Sequence, residues 1–76
     1  MSNTPLIYAT DTTRIGRYDW RIEVRWIDGA RCSIPMFRRV GDTGPWRWPT
    51  DFPGAMPAGL VNFVLQNAVS IGRALS

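Results

Sequence analysis

The 76-residue sequence has no lysine and no histidine, and it has one cysteine and one glutamate. The single cysteine, Cys32, excludes a disulfide within the chain, and we interpret it as a small apolar core residue. Without histidine, a second cysteine or paired carboxylates, the sequence shows none of the ligand spacings of a zinc site. The five aspartates are scattered and suggest no acid–base pair. We therefore predict a protein that is not an enzyme and that uses no metal or cofactor.

The charge is carried by arginine alone, since all nine basic residues are arginine and the net charge is +3. This bias reflects either a GC-rich bacterial or phage genome or a selection for the planar guanidinium, which suits phosphate, carboxylate and aromatic surfaces. A charge of this size permits an acidic or polyanionic partner without requiring one. No run is long and apolar enough to span a bilayer, so we predict no membrane partner. Without disulfides or a signal peptide, we expect a cytoplasmic protein.

Strict alternation of apolar and charged residues is the clearest pattern, and it lies between Arg17 and Val40. The apolar positions are Tyr18, Trp20, Ile22, Val24 and Trp26, and the charged positions between them are Asp19, Arg21, Glu23 and Arg25. A period of two is typical of a strand with one face in the core and one in water. Asp28-Gly29 then supplies turn residues. The apolar positions resume on the way back at Cys32, Ile34 and Met36, which predicts an antiparallel hairpin.

The register of this hairpin decides which side chains share a face. A two-residue loop at Asp28-Gly29 would place Trp26 opposite Arg31 and mix the faces. A three-residue loop, either 27–29 or 28–30, keeps the apolar residues of both strands together, and we predict such a loop. Turn chemistry favours the first and charge pairing favours the second. The other face would then present arginines with two acidic neighbours: Arg17, Arg21, Arg25, Arg31 and Arg39, with Asp19 and Glu23.

Shorter patterns complete the predicted fold. Leu6–Ala9 favours a short strand beside the hairpin, Asp11–Thr13 a turn, and Met1–Thr4 a loose tail. One helix is predicted from Pro57 to Leu75. Its core stripe is Leu60, Val61, Val64, Ala68, Ile71 and Leu75. The sequence thus predicts one α+β domain over residues 1–76, in which a small antiparallel sheet (the hairpin plus the short N-terminal strand) has one C-terminal helix packed on one face.

The apolar arc of this helix is wider than the roughly 100° that a surface helix turns toward a core. Phe63, Leu65 and Val69 cause the widening, so we expect the helix to bury a second face. Its cover would be the preceding loop, a second copy of the chain in a homodimer, or another partner.

The segment 41–57 differs from the rest because proline recurs at every fourth position from Pro45 to Pro57. Proline resists regular secondary structure, and long loops are usually functional or disordered. Trp46, Trp48 and Phe52 lie between the prolines, and three large aromatic residues argue against disorder. They either fold back to cap the core or stand out as binding anchors.

Binding to another protein is the function that these features favour. Tryptophan and arginine dominate interface hot spots, and the wide apolar arc and the loop exceed what a monomer of this size needs. The predicted contact surface consists of Trp46, Trp48, Phe52, Arg21, Arg25 and Arg39. The alternative is a nucleic-acid-binding module that uses the arginines of the exposed sheet face, with phosphates bound by charge and bases by stacking.

The order of the elements adds a resemblance to a known family. A hairpin, then Phe52-Pro53-Gly54, and Gly59-Leu60 leading into a C-terminal helix resemble the architecture of some small phage anti-CRISPR proteins. The resemblance implies a phage or mobile-element inhibitor that blocks a surveillance complex without catalysis. The arginine-only, tryptophan-rich composition departs from the acidic members that mimic nucleic acid, so the implied mode is steric blocking of a subunit. No site residues are carried over from the family.

Overall fold

The computed structural model describes residues 4–76, so residues 1–3 of the predicted tail lie outside the described part of the chain. The strands are β1 (Leu6–Ala9), β2 (Thr13–Ile15), β3 (Tyr18–Ile27) and β4 (Ala30–Arg39), and the helices are α1 (Gly59–Gln66) and α2 (Ala68–Leu75). A 3₁₀ turn at Pro49–Asp51 precedes the helices. The α+β class and the antiparallel sheet are as predicted, whereas two helices replace the predicted single one.

The sheet is built around β3, which pairs with β4 on one side. On its other side, β1 pairs with residues 23–25 and β2 with residues 18–20, so two short strands share that edge. Thr10 holds the step between them, because its backbone N–H donates to the Ile22 carbonyl and its Oγ1 accepts the Ile22 N–H at 3.0 Å. The predicted strand beside the hairpin is confirmed as β1. The predicted turn at Asp11–Thr13 is wrong, because Thr13 begins β2 and the turn of this segment lies at Gly16-Arg17, between β2 and β3.

The hairpin has a two-residue loop, so both predicted three-residue loops are wrong. Asp28 and Gly29 have φ values of 51° and 80°, and the flanking Ile27 and Ala30 are paired. Positive φ at both loop residues is the type I′ geometry, whose twist matches that of two antiparallel strands. In this register Trp26 lies opposite Arg31, whereas either three-residue loop would have kept them apart.

The register moves the apolar residues of β4 to the other face of the sheet. Directly paired residues share a face, and Glu23 pairs with Ile34 and Arg21 with Met36. We call the side of the sheet that carries Arg21, Glu23 and Arg25 the arginine face. Cys32, Ile34 and Met36 lie on this face, contrary to the prediction. Arg31 and Arg39, predicted there, lie instead on the opposite face, opposite Trp26 and Tyr18.

The main core lies on that opposite face, which we call the core face. Its buried residues are Trp20, Ile22, Val24, Phe37, Leu60 and Ile71. Leu60 comes from α1 and Ile71 from α2, so each helix contributes one buried residue to the cluster. Four aromatic rings close one end of it, because Phe52 lies 5.0–5.1 Å from the ring centroids of Tyr18, Trp20 and Phe37.

The predicted single helix is interrupted at Asn67, where φ is −106° and ψ is 10°. The Asn67 side-chain amide donates to the Phe63 carbonyl at 2.9 Å, and its backbone N–H donates to the same oxygen. Asparagine commonly competes in this way with the backbone hydrogen bonds of a helix.

The predicted core stripe of the helix is mostly wrong. Leu60 and Ile71 are buried, whereas Val61, Val64, Ala68 and Leu75 are exposed.

Candidate interaction surfaces

Glu23 is a completely buried acidic side chain at the centre of the arginine face. Arg21 donates from Nε to Glu23 Oε2 at 2.8 Å and approaches the same oxygen with Nη2 at 2.6 Å. Arg25 donates from Nε to the other oxygen, Oε1, at 2.6 Å, and from Nη1 to the Thr4 carbonyl. Both carboxylate oxygens are thus occupied by guanidinium groups of the same strand. A buried carboxylate needs such partners, since an unpaired buried charge is costly.

Trp46 brings the proline-rich loop onto the arginines. The guanidinium carbons of Arg21 and Arg38 lie 4.7 and 4.3 Å from the centroid of its ring, distances at which a cation is attracted to an indole. Arg38 also donates to the Gly44 carbonyl at 3.0 Å. Long side chains that lie over a sheet cover apolar neighbours with their methylene stems. This arrangement explains why Met36 is only 2% exposed on a face that was predicted to be solvated.

The loop is placed by one short backbone pairing beside it. Arg47 exchanges two hydrogen bonds with Phe37 at the outer edge of β4, with N···O distances of 2.7 and 3.1 Å. The two residues that flank Arg47 then differ in their surroundings. Trp46 is half-buried against the arginines, whereas Trp48 is 39% exposed.

The six residues of the predicted contact surface lie in different surroundings. Trp46, Arg21 and Arg25 belong to the packed arginine face, and Phe52 packs against the main core. Arg39 lines a cleft of about 420 Å³ on the core face, whose other charged residues are Arg47, Asp42 and Asp51. Phe52 thus folds back to cap the core, as one of the two interpretations predicted, while Trp48 and Arg39 remain accessible to a partner. The structure does not gather the six into one exposed patch.

An accessible surface made of apolar side chains lies on and before α1. We call it the apolar surface, and it is lined by Met56, Pro57, Ala58, Leu60, Val61, Val64 and Leu65. It forms a shallow groove of about 310 Å³. Val61 and Leu65, one helical turn apart, are 63% and 67% exposed, and Met56 is 45% exposed. Side chains of this kind are ordinarily buried, and contiguous exposure of several marks an interaction site.

Two sequence signals pointed to this surface. The wide apolar arc of the predicted helix is one, although the predicted core stripe includes Val61 and Val64. The other is the absence of charge, because residues 52–72 contain no aspartate, glutamate, lysine or arginine. In a chain whose other segments are rich in arginine, so long an uncharged stretch could have located the surface directly.

Comparison of the chain with protein-family models, curated proteins and solved structures found no significant match. Within residues 4–76, neither helix is long and apolar enough to cross a bilayer. The same residues contain no group of three or more histidine, cysteine, aspartate or glutamate side chains placed to hold a metal ion.

Proposed function

We propose that this chain is a non-enzymatic binding protein that acts through protein contacts, and that the apolar surface is where it binds. The observation that carries the proposal is the exposure of Val61 and Leu65 beside an uncharged apolar groove. Removing apolar area from water contributes about 25 cal/mol per Å², so covering this surface favours association.

The occupant follows from the chemistry of the surface. The groove offers no charged side chain to a ligand, and the nearest charges along the chain are Asp51 and Arg73. Carboxylate or phosphate groups of a partner would not strengthen binding there, because they would lose their bound water without meeting a positively charged side chain in the groove. The occupant is therefore a protein segment that presents apolar, uncharged side chains.

Binding of nucleic acid has less support. Arg21 and Arg25 already hold Glu23, and Arg21 and Arg38 lie over Trp46, so these guanidinium groups are engaged within the protein. Steric blocking of a larger assembly, as the resemblance to anti-CRISPR proteins implies, would use a surface of the proposed kind. That identification stays a prediction.

The test uses two variants with the same change in charge. The surface variant carries Val61→Glu and Leu65→Glu, and the control variant carries Thr12→Glu and Thr43→Glu at exposed loop positions. Glutamate suits the first turn of a helix, so Val61→Glu does not oppose α1 itself. Peptides are selected from a displayed random library on the wild-type protein, and their affinities for all three proteins are measured by isothermal titration calorimetry.

We expect the selected peptides to be apolar and to bind the control variant as tightly as the wild type. Their affinity for the surface variant should be at least about tenfold weaker, a loss of about 1.4 kcal/mol in binding free energy. Selected peptides that bind the surface variant equally well would contradict the proposal. So would binding to neutral phosphatidylcholine vesicles without binding to any peptide, because the apolar surface would then serve a membrane.

A further inference from the structure

We propose that the cleft between the end of β4 and the proline-rich loop binds a small dipolar molecule that carries both a carboxylate and an ammonium group. We call it the charged cleft. Tyr18 and Arg39 line it from the sheet, and Asp42, Arg47 and Asp51 line it from the loop. Its volume of about 420 Å³ lies within the range of about 300–1,000 Å³ that small-molecule sites occupy. It shares no residue with the apolar surface, so the proposal goes beyond the proposed function.

The walls of the charged cleft are held by contacts that do not use its charged groups. On the loop side, the backbone of Arg47 exchanges two hydrogen bonds with that of Phe37, and Phe52 packs its ring against the core. At the end of β4, the Asp42 N–H donates to the Arg39 carbonyl at 2.9 Å. The cleft is therefore formed in the absence of a ligand, which lowers the entropy cost of binding one.

Four exposed charged side chains converge on the charged cleft: Arg39, Arg47, Asp42 and Asp51. Within residues 4–76 none of them forms an ion pair, and the ion pairs present there all lie on β2 and β3. One carboxylate oxygen of Asp42 accepts the Gly44 N–H at 2.8 Å, and no other side-chain hydrogen bond of the described residues uses these four groups. Opposite charges that share a cleft without pairing leave their hydrogen-bonding groups free for a ligand.

The balance of charge in the cleft decides which ligand gains most. Two guanidinium and two carboxylate groups sum to zero, although the chain as a whole carries +3. A ligand with a single charge would be attracted by one pair of groups and repelled by the other. A ligand with a carboxylate and an ammonium group can place each beside side chains of the opposite charge, where charge-assisted hydrogen bonds form. The cleft therefore favours a dipolar ligand over an anion or a cation.

Aromatic rings supply the apolar part of the lining. The half-buried ring of Tyr18 packs edge-on against Phe37 and Phe52, with centroid distances of 5.6 and 5.0 Å. The guanidinium carbon of Arg47 lies 5.8 Å from the centroid of the Phe37 ring. A second ring packs well against aromatic side chains of this kind. The ligand class is therefore an α-amino acid with an aromatic side chain.

The first test compares three probes that share a phenyl ring. Phenylalanine carries both charges, phenylpropionate carries the carboxylate alone, and phenethylamine carries the ammonium group alone. Each is added to the isotope-labelled full chain, and the amide resonances are followed by nuclear magnetic resonance. We expect phenylalanine to shift the resonances of Arg39, Asp42 and Asp51 and to bind at least about tenfold more tightly than either other probe, because each of those lacks one charge-assisted contact.

The second test removes one charge of the cleft at a time. Arg39→Gln and Asp51→Asn should each weaken phenylalanine binding at least about tenfold. Asp51→Asn leaves an excess of positive charge, so it should also bind phenylpropionate more tightly than the wild type does. A variant that had merely lost its fold would not show this gain. Arg73→Gln and Asp11→Asn are the matched controls at exposed positions outside the cleft, and both should bind phenylalanine like the wild type.

Three results would overturn the proposal. One is the absence of any shift at the cleft with phenylalanine at about 10 mM, tenfold above a millimolar dissociation constant. Another is phenylpropionate or phenethylamine binding as tightly as phenylalanine, which would make the cleft a site for single charges. The third is phenylalanine binding that Arg39→Gln and Asp51→Asn leave unchanged. All three would leave the proposed function standing, since no variant alters the apolar surface.

Discussion

Glu23 tests the packed arginine face most directly, because its carboxylate is fully buried between two arginines on its own strand. The substitution Glu23→Gln keeps the size of the side chain but removes its charge. One amide oxygen must then replace two carboxylate oxygens, so at least one guanidinium group loses its acceptor and meets an N–H₂ group instead.

The expected loss can be worked from the exposure of the partners. Breaking a buried ion pair by removing one member typically costs about 3–5 kcal/mol. The side chains of Arg21 and Arg25 are 25% and 22% exposed, so water can rehydrate part of each guanidinium. We therefore expect the free energy of unfolding to fall by about 2–3 kcal/mol, which is less than for a pair with both members fully buried. For a domain of this size, that lowers Tm by about 10–20 °C.

Asp19→Asn is the matched control, since it makes the same chemical change on the same face of β3. Asp19 contacts Arg14 at 3.7 Å, and the Arg14 side chain is 68% exposed. Exposed pairs of this kind contribute up to about 1 kcal/mol, so the loss should be small. Urea unfolding followed by tryptophan fluorescence, at one protein concentration, measures both variants. Equal losses for the two, or no loss for Glu23→Gln, would refute the description of Glu23 as the centre of a packed charged layer.

Two further predictions concern the loop and the hairpin turn. Phe52→Ala should lower the free energy of unfolding by about 3 kcal/mol, because Phe52 contacts three aromatic rings. Trp48→Ala, at a ring that is 39% exposed, should lower it by less than about 1 kcal/mol. Denaturant unfolding measures both variants, and similar losses would show that the loop does not cap the core. Gly29→Ala should cost about 1 kcal/mol because Gly29 has φ = 80°, while Gly72→Ala in α2, where nothing lies within 4 Å of an added Cβ, should stabilise by a similar amount. Thermal melts that show the same sign for both glycines would contradict this reasoning.

The loop shows how far sequence reasoning reached for the candidate sites. The three aromatics had two interpretations, and the structure assigns a different environment to each. Phe52 joins the core, Trp46 covers the arginines, and Trp48 remains partly in water. The spacing of the prolines predicts only that the segment is irregular. The position of the tryptophans depends on the pairing of Arg47 with Phe37, which lies ten residues earlier. No short sequence pattern predicts that contact.

The sequence by itself determined the elements of the hairpin and the location of its turn. Alternation from Tyr18 to Trp26 specifies a strand, and Asp28-Gly29 specifies the position of the turn. Only the tertiary structure decided which face of β3 receives Ile34 and Met36. A period of two sorts residues within one strand, but a slip of one residue between strands exchanges the faces. Glu23 is buried between Arg21 and Arg25, and Trp46 lies against Arg21 and Arg38, so this face also holds Ile34 and Met36 away from water.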